Sequence, residues 1–160
     1  MKPLNEGLVM TQEDKELLLR DLCTRLPYEI KGIRIYKPEE VVTLNEIIPR
    51  CKMNPNIGNG SFCELGFDKI SDFCTITEFK PYLFPMSSMT DEEKEELKQE
   101  HIKDQKLYAE CLTRVAKGDS SMRGKVIIHY AMDWCNKNHF DYRGLIEKGL
   151  AIDATGLNIY

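Results

Sequence analysis

Between Thr11 and Leu26 the apolar positions fall at Leu18, Leu19, Leu22, Cys23 and Leu26, a three-and-four spacing that predicts one helix with a core-facing stripe. Thr11 is the N-cap residue, with Asp14 completing a weak capping box, and Pro27 ends the helix because its ring cannot continue the ladder. From Tyr28 to Lys80 the period changes to two. Ile33 and Ile35 alternate with Gly32, Arg34 and Tyr36; Val42 and Leu44 alternate with Val41 and Thr43; Cys63, Leu65 and Phe67 oppose Phe62, Glu64 and Gly66; Phe73–Thr77 is a fourth run. The alternation slips at Asn45-Glu46, which predicts a bulge. Turn residues separate the runs at Lys37-Pro38, Asn54-Pro55, Gly58-Asn59-Gly60 and Asp68-Lys69, and Asn59-Gly60 suits a hairpin tip. At least three antiparallel strands are expected here, and four or five in all, in a small sheet that curls toward a barrel.

Pro81 and Pro85 bracket Tyr82, Leu83 and Phe84, which reads as an extended link with buried anchors. Thr90 and Glu93 form a capping box that opens a second helix. Its first half, Asp91 to Lys106, holds seven acidic and four basic side chains, a net charge of −3. Asp91–Lys94, Glu95–Lys98 and Glu100–Lys103 attract at i,i+3, while Glu92, Glu96, Glu100 and Asp104 repel along one stripe. The expectation is an acidic half-helix that projects into solvent, followed by a core-facing half marked by Leu107, Tyr108, Cys111, Leu112 and Val115. After Gly118, the residues Asp119-Ser120-Ser121 offer a cap for a third helix that runs to about Asn138 and buries Ile127, Tyr130, Ala131 and Trp134. Asp141 caps a short final helix over Tyr142–Lys148, closed by Gly149. The whole reads as one α+β domain over residues 1–160: an N-terminal helix at 11–26, a small antiparallel sheet at 28–80, and a helical part at 90–149 whose long helices form a hairpin.

Composition narrows the function classes. The chain has 160 residues with a net charge of −4, so no bulk field draws it to nucleic acid or to an anionic membrane. Apolar runs such as Val126-Ile127-Ile128 are too short to cross a bilayer, and the opening MKPLNEGLVM lacks the features of a signal peptide. A cytoplasmic chain is expected, and with it six reduced cysteines. No two cysteines stand close enough for a zinc pair, and the three histidines do not supply one, so neither a metal nor another cofactor is expected.

Candidate chemistry is sparse. Gly118 to Val126 resembles a phosphate loop only superficially, since five residues separate the glycines and Val126 stands where a hydroxyl is needed. His129 and Asp133 sit one helical turn apart, where a carboxylate can orient an imidazole, but no nucleophile accompanies them, and an intrahelical contact accounts for the pair. The stretch Arg114 to Lys148 carries seven basic and four acidic residues, a net charge of +3. A helix-turn-helix reading would place nucleic-acid contacts at Arg114, Lys117, Arg123 and Lys125.

Three stretches carry a resemblance: Leu22-Cys23-Thr24-Arg25-Leu26-Pro27-Tyr28, then KPYLFPMSSMTDEEKEEL from Lys80, then NHFDYRGLIEKGLAIDATGLNIY from Asn138. Together they resemble a group of small uncharacterised proteins encoded by gut Bacteroidota, their prophages and other mobile elements. The likeness covers the N-terminal helix, the Pro-bracketed link and the C-terminal tail, with the sheet region matching less. It implies an accessory protein of phage or mobile-element origin, with no catalytic residues to carry over. The expectation is therefore a non-catalytic module that binds a protein partner, with the small sheet as its recognition platform. A nucleic-acid-binding accessory protein using the basic hairpin is the alternative, and an enzyme of unfamiliar type the third reading.

Overall fold

The computed structural model describes residues 10–51, 61–68, 72–118 and 129–160. Among them are three helices, α1 (Gln12–Arg25), α2 (Asp91–Ala116) and α3 (Tyr130–Lys137). Seven strands accompany them: β1 (Ile30–Arg34), β2 (Lys37–Cys51), β3 (Ser61–Phe67), β4 (Phe73–Thr75), β5 (Phe79–Pro85), β6 (Phe140–Asp141) and β7 (Ile152–Asp153). The fold is α+β, and none of these helices is long and apolar enough to cross a membrane.

The sheet runs β4-β3-β2-β1-β5-β6, with β7 also paired to β5. It is mixed, not all antiparallel: β1 to β5 pair antiparallel, while β6 and β7 join β5 in parallel. It is also open, so the expected curl into a barrel does not occur. The expected slip is present, because the β2–β3 register shifts between Leu44 and Glu46 and leaves Asn45 as the extra residue. The β1–β2 turn falls at Ile35-Tyr36, two residues before the predicted Lys37-Pro38, since Arg34 pairs directly with Lys37. Asn59-Gly60 lies outside the described residues.

The Pro-bracketed segment is the largest correction. It is no link but β5, an inner strand with β1 on one side. Pro81 and Pro85 are tolerated because their positions need no ladder donor. Phe84 N–H still donates to the His139 carbonyl at 2.9 Å, and Ala154 N–H to the Leu83 carbonyl at 2.8 Å. Gly32 explains how β1 and β5 approach so closely: a Cβ there would meet the Lys80 carbonyl oxygen at 2.4 Å.

Alternation along these strands builds a core on each face. Ile30, Leu44, Leu65, Phe79 and Leu83 pack with Leu18 and Leu22 of α1 and with Leu145 and Leu150. Ile33 and Tyr82 point the other way, against Ala154, Ile152 and Ile159. The final segment therefore does not form a helix. It runs through turns in which Asp141 accepts from Leu145 N–H (2.9 Å) and Ile146 N–H (2.8 Å), with Gly144 and Gly149 at positive φ, and delivers β7 to the sheet.

The buried face of α1 is rotated from the one read off its leucines. Leu18 and Leu22 are enclosed as expected, but Cys23 is exposed, and Asp21 and Arg25 are both 0% exposed. Arg25 Nε donates to Asp21 Oδ2 at 2.8 Å, its terminal nitrogens reach the carbonyls of Phe140 (2.7 Å) and Cys135 (3.4 Å), and Arg143 Nε stands 3.3 Å from Asp21 Oδ1. Breaking a buried pair strands its other charge at a cost of about 3–5 kcal/mol, whereas replacing both partners with apolar groups costs far less. Arg25→Met is thus expected to destabilise by that amount and Asp21→Leu/Arg25→Met by less, as read from urea midpoints. A double variant no more stable than the single one would show that the charge left behind is not the cause.

Candidate functional site

The positions proposed for nucleic-acid contact are only partly brought together. Arg114 lies near the far end of α2, 3.8 Å from Glu110, and Lys117 caps the same helix through backbone bonds to Thr113 and Arg114. Arg123 and Lys125 lie outside the described residues. His129 and Asp133 do not form an acid–base pair. His129 is the N-cap residue of α3, its carbonyl accepting from Asp133 N–H at 2.9 Å. The Asp133 carboxylate instead accepts the Tyr28 hydroxyl at 2.6 Å, which raises the Tyr28 pKa. The described part of α3 begins at Tyr130, and Tyr130 is exposed; the buried positions are Ala131, Cys135 and Asn136, with Trp134 half-buried. Ile127 and the predicted start at Asp119-Ser120-Ser121 are outside the described residues.

The acidic half of α2 does not project as expected, and the half after it is only partly covered. The acidic half is the docked one. Asp104 accepts from Tyr130 N–H (2.7 Å) and Ala131 N–H (3.0 Å), so it caps α3 from a neighbouring helix where His129 offers no side-chain cap. Glu96 accepts from Trp134 Nε1 at 3.2 Å, and Leu97 packs into the cluster of Met89, Cys135 and Phe140. The capping box is formed as predicted, with Glu93 N–H on Thr90 Oγ1 and Thr90 N–H on Glu93 Oε2. The far half overhangs. Of the expected core-facing stripe, Leu107 and Cys111 are half-buried, whereas Tyr108, Leu112 and Val115 share one face at 60%, 53% and 62% exposure.

A cleft of about 560 Å³ opens at the other end of α2, with Phe84, Glu93, Lys137, His139, Thr155 and Tyr160 among its walls. His139 follows the C-cap of α3 at φ +61°, the left-handed position that stops a helix and is more often glycine. That turn lays its imidazole flat on the Tyr160 ring, with centroids 3.6 Å apart and planes 10° from parallel. Tyr160 is fixed in turn: its hydroxyl accepts from Lys31 N–H at 3.0 Å and donates to the Tyr82 carbonyl at 3.1 Å. Burial holds the Tyr160 pKa up at about 12. Burial, then the nearby Arg25 and Lys31 charges, pushes His139 down to about 4 against the pull of Glu29, so the imidazole is neutral at physiological pH. Its Nδ1 is buried without a hydrogen-bond partner among the described residues.

Sequence reasoning reached none of these cleft residues as a site. The available signals were the tail from Asn138 to Tyr160, picked out only by resemblance, and an Asn138-His139 pair after a helix. Among the described residues no group of three or more His, Cys, Asp or Glu side chains stands ready for a metal. Five described cysteines are free thiols, of which Cys74 is pushed up to about 12 by burial. Comparison with protein-family models, with curated proteins and with solved structures finds no match for this chain.

Two measurements check this description. Native-state hydrogen exchange should show amides from Glu96 to Asp104 better protected than those from Tyr108 to Ala116, and Asp104→Ala should cost about 1 kcal/mol and erase the difference. The opposite order would overturn the docked half. For His139 the folded pKa lies below the ordinary value near 6.5, so the unfolded chain takes up the proton first and stability falls as pH drops from about 6.5 toward about 4. The loss is on the order of 2 kcal/mol. His139→Asn, a residue that tolerates positive φ, should remove that part of the slope in urea midpoints taken at about pH 7 and about pH 4.5. An unchanged slope would overturn the buried neutral imidazole.

Proposed function

We propose that this protein is a non-catalytic binding module whose partner is another protein, received along the overhanging half of α2. The carrying observation is the exposed row of Tyr108, Leu112 and Val115, one continuous apolar face on a helix whose other half is anchored. The central strands β1 and β5 are buried against clusters on both faces, so the sheet offers less free surface than the helix does. The row offers on the order of 300 Å², against roughly 800 Å² per partner in a stable interface. That area suits a short amphipathic helix in a transient complex.

At roughly 100° per residue, Lys106, Glu110, Arg114 and Lys117 fall on the side of α2 away from the row, so the row is read by its apolar side chains. A partner helix with apolar residues at i, i+4 and i+7 is favoured. A neutral, stacked His139 suits binding better than proton transfer, which supports the non-catalytic reading. A small accessory role, of the kind the resemblance implies, fits an interface of this size.

The test is a photo-crosslinking residue at position 112, with position 94 on the anchored half as control, in cells of the source organism. The expected result is one protein adduct at 112 and none at 94, lost in Val115→Asp. That variant should leave stability within about 0.5 kcal/mol of the parent, because Val115 is exposed. Nucleic-acid adducts at 112, or no specific adduct, would overturn the reading.

A further inference from the structure

The cleft at the opposite end of α2 is a second place where the molecule presents assembled chemistry, and it is independent of the overhang. Its walls carry groups of three kinds. Lys137 brings an ammonium from the last turn of α3, and Glu93 brings a carboxylate whose Oε2 is held by Thr90 N–H. Phe84 and Tyr160 bring aromatic surface, their rings 6.1 Å apart at 56°. His139 lies flat on the Tyr160 ring with its Nδ1 enclosed. A neutral imidazole holds one proton, and an enclosed Nδ1 with no acceptor nearby is better left bare, which puts the proton on Nε2. Nε2 makes no hydrogen bond among the described residues and is not enclosed as Nδ1 is, so it is a donor facing solvent at the cleft.

The combination excludes two ligand classes. A phosphate dianion meets one lysine but also the Glu93 carboxylate, which repels it. A metal ion meets too few ligands. A molecule that carries a carboxylate and an ammonium on one carbon, with an apolar group as a third substituent, answers every wall. A cleft of about 560 Å³ is within the range that holds small molecules and leaves room for a side chain.

We propose that the cleft binds a free α-amino acid with an apolar side chain, its carboxylate on Lys137 and His139 Nε2, its ammonium on Glu93, and its side chain against Phe84 and Tyr160. Lys137 and Glu93 come from different helices, so the ligand bridges α2 and the α3–β6 turn. Selectivity follows from the pairing of charges: a ligand lacking either charge leaves a protein charge facing a neutral group.

The experiment is titration of the isotope-labelled full chain with L-phenylalanine, followed by amide chemical shifts, alongside N-acetyl-L-phenylalanine and L-phenylalaninamide. Saturable shifts at His139, Thr155 and Gly156 are expected, with each capped analogue at least about tenfold weaker, the effect of losing one charge-assisted contact. Glu93→Gln keeps the capping box and should abolish discrimination against the N-acetyl form, and Lys137→Met should abolish discrimination against the amide. Wild-type binding of a capped analogue as tight as that of L-phenylalanine would overturn the assignment of that end. Absence of shifts at these residues with L-phenylalanine or L-leucine up to about 10 mM, a concentration that reveals even millimolar affinity, would overturn the site.

Discussion

The buried charge network around Arg25 is the constraint on which the rest of this small protein hangs. One guanidinium, wholly out of water, binds Asp21 on its own helix and the carbonyls of Cys135 and Phe140 on either side of the α3–β6 turn, with the Tyr142 ring 5.5 Å away. Arg143 closes the network from the next residue along, donating to the Tyr142 hydroxyl and standing near Asp21. Taking these charges from water is costly, and an apolar cluster of equal volume would stabilise the chain at least as well. What the network adds is direction. It fixes where the end of α3 and the start of β6 lie relative to α1, across more than a hundred residues of sequence. His139 sits inside that fixed span, so its positive φ, its stack on Tyr160 and its depressed pKa all follow from the same anchor.

A similar economy joins α2 and α3. α3 has eight residues, too few to be stable alone, and its own N-cap residue makes no side-chain cap. Asp104 supplies that cap from α2, and the α3 dipole in turn gives a carboxylate of the acidic stripe a reason to be where it is. Glu96 on Trp134 repeats the device two turns earlier. Repulsion along the stripe is relieved because three of its four members, Glu96, Glu100 and Asp104, face donors instead of each other. The joint stops at Asp104, and twelve more residues of α2 continue past it, roughly 18 Å of helix at the usual rise. The overhang and its apolar row are consequences of where the capping ends.

This explains what the sequence could and could not disclose. Strands β1 to β4, the bulge at Asn45, the capping box at Thr90 and the buried leucines of α1 were legible because each is a local rule written in neighbouring residues. The docking of α2 is not legible from apolar spacing or from charge pairs within the helix, because its anchors are carboxylates that bind N–H groups far away in sequence. Asp21 and Arg25 were invisible for the same reason: charged residues on a helix read as solvent-facing until a partner 110 residues on is known. Strand β5 was hidden by its prolines, which forbid a ladder only where a donor is required. The parallel strands β6 and β7 are two residues each, below the length at which any period can be seen. The cleft residues come from β5, α2, the α3–β6 turn and the tail, so no single segment carries their pattern.

The two surfaces lie toward opposite ends of one helix, and that geometry limits how they can communicate. Glu93 at the cleft and Leu112 on the overhang are nineteen positions apart, roughly 28 Å along α2. Distance alone gives no coupling; a ligand shifts an equilibrium only by its differential affinity for two states of something both sites touch. The element that stands between them is the α2–α3 joint at Glu96 and Asp104, made of hydrogen bonds at or near the surface and one apolar anchor, Leu97. A ligand spanning Glu93 and Lys137 would clamp the two helices on one side of that joint, favouring its closed form. A partner helix that lies only on the overhang touches one side of the joint and is indifferent to its state. Coupling therefore requires a partner that reaches past Tyr108 toward Tyr130, where the Lys103 ammonium already stands 5.9 Å from the ring centroid and both helices present surface.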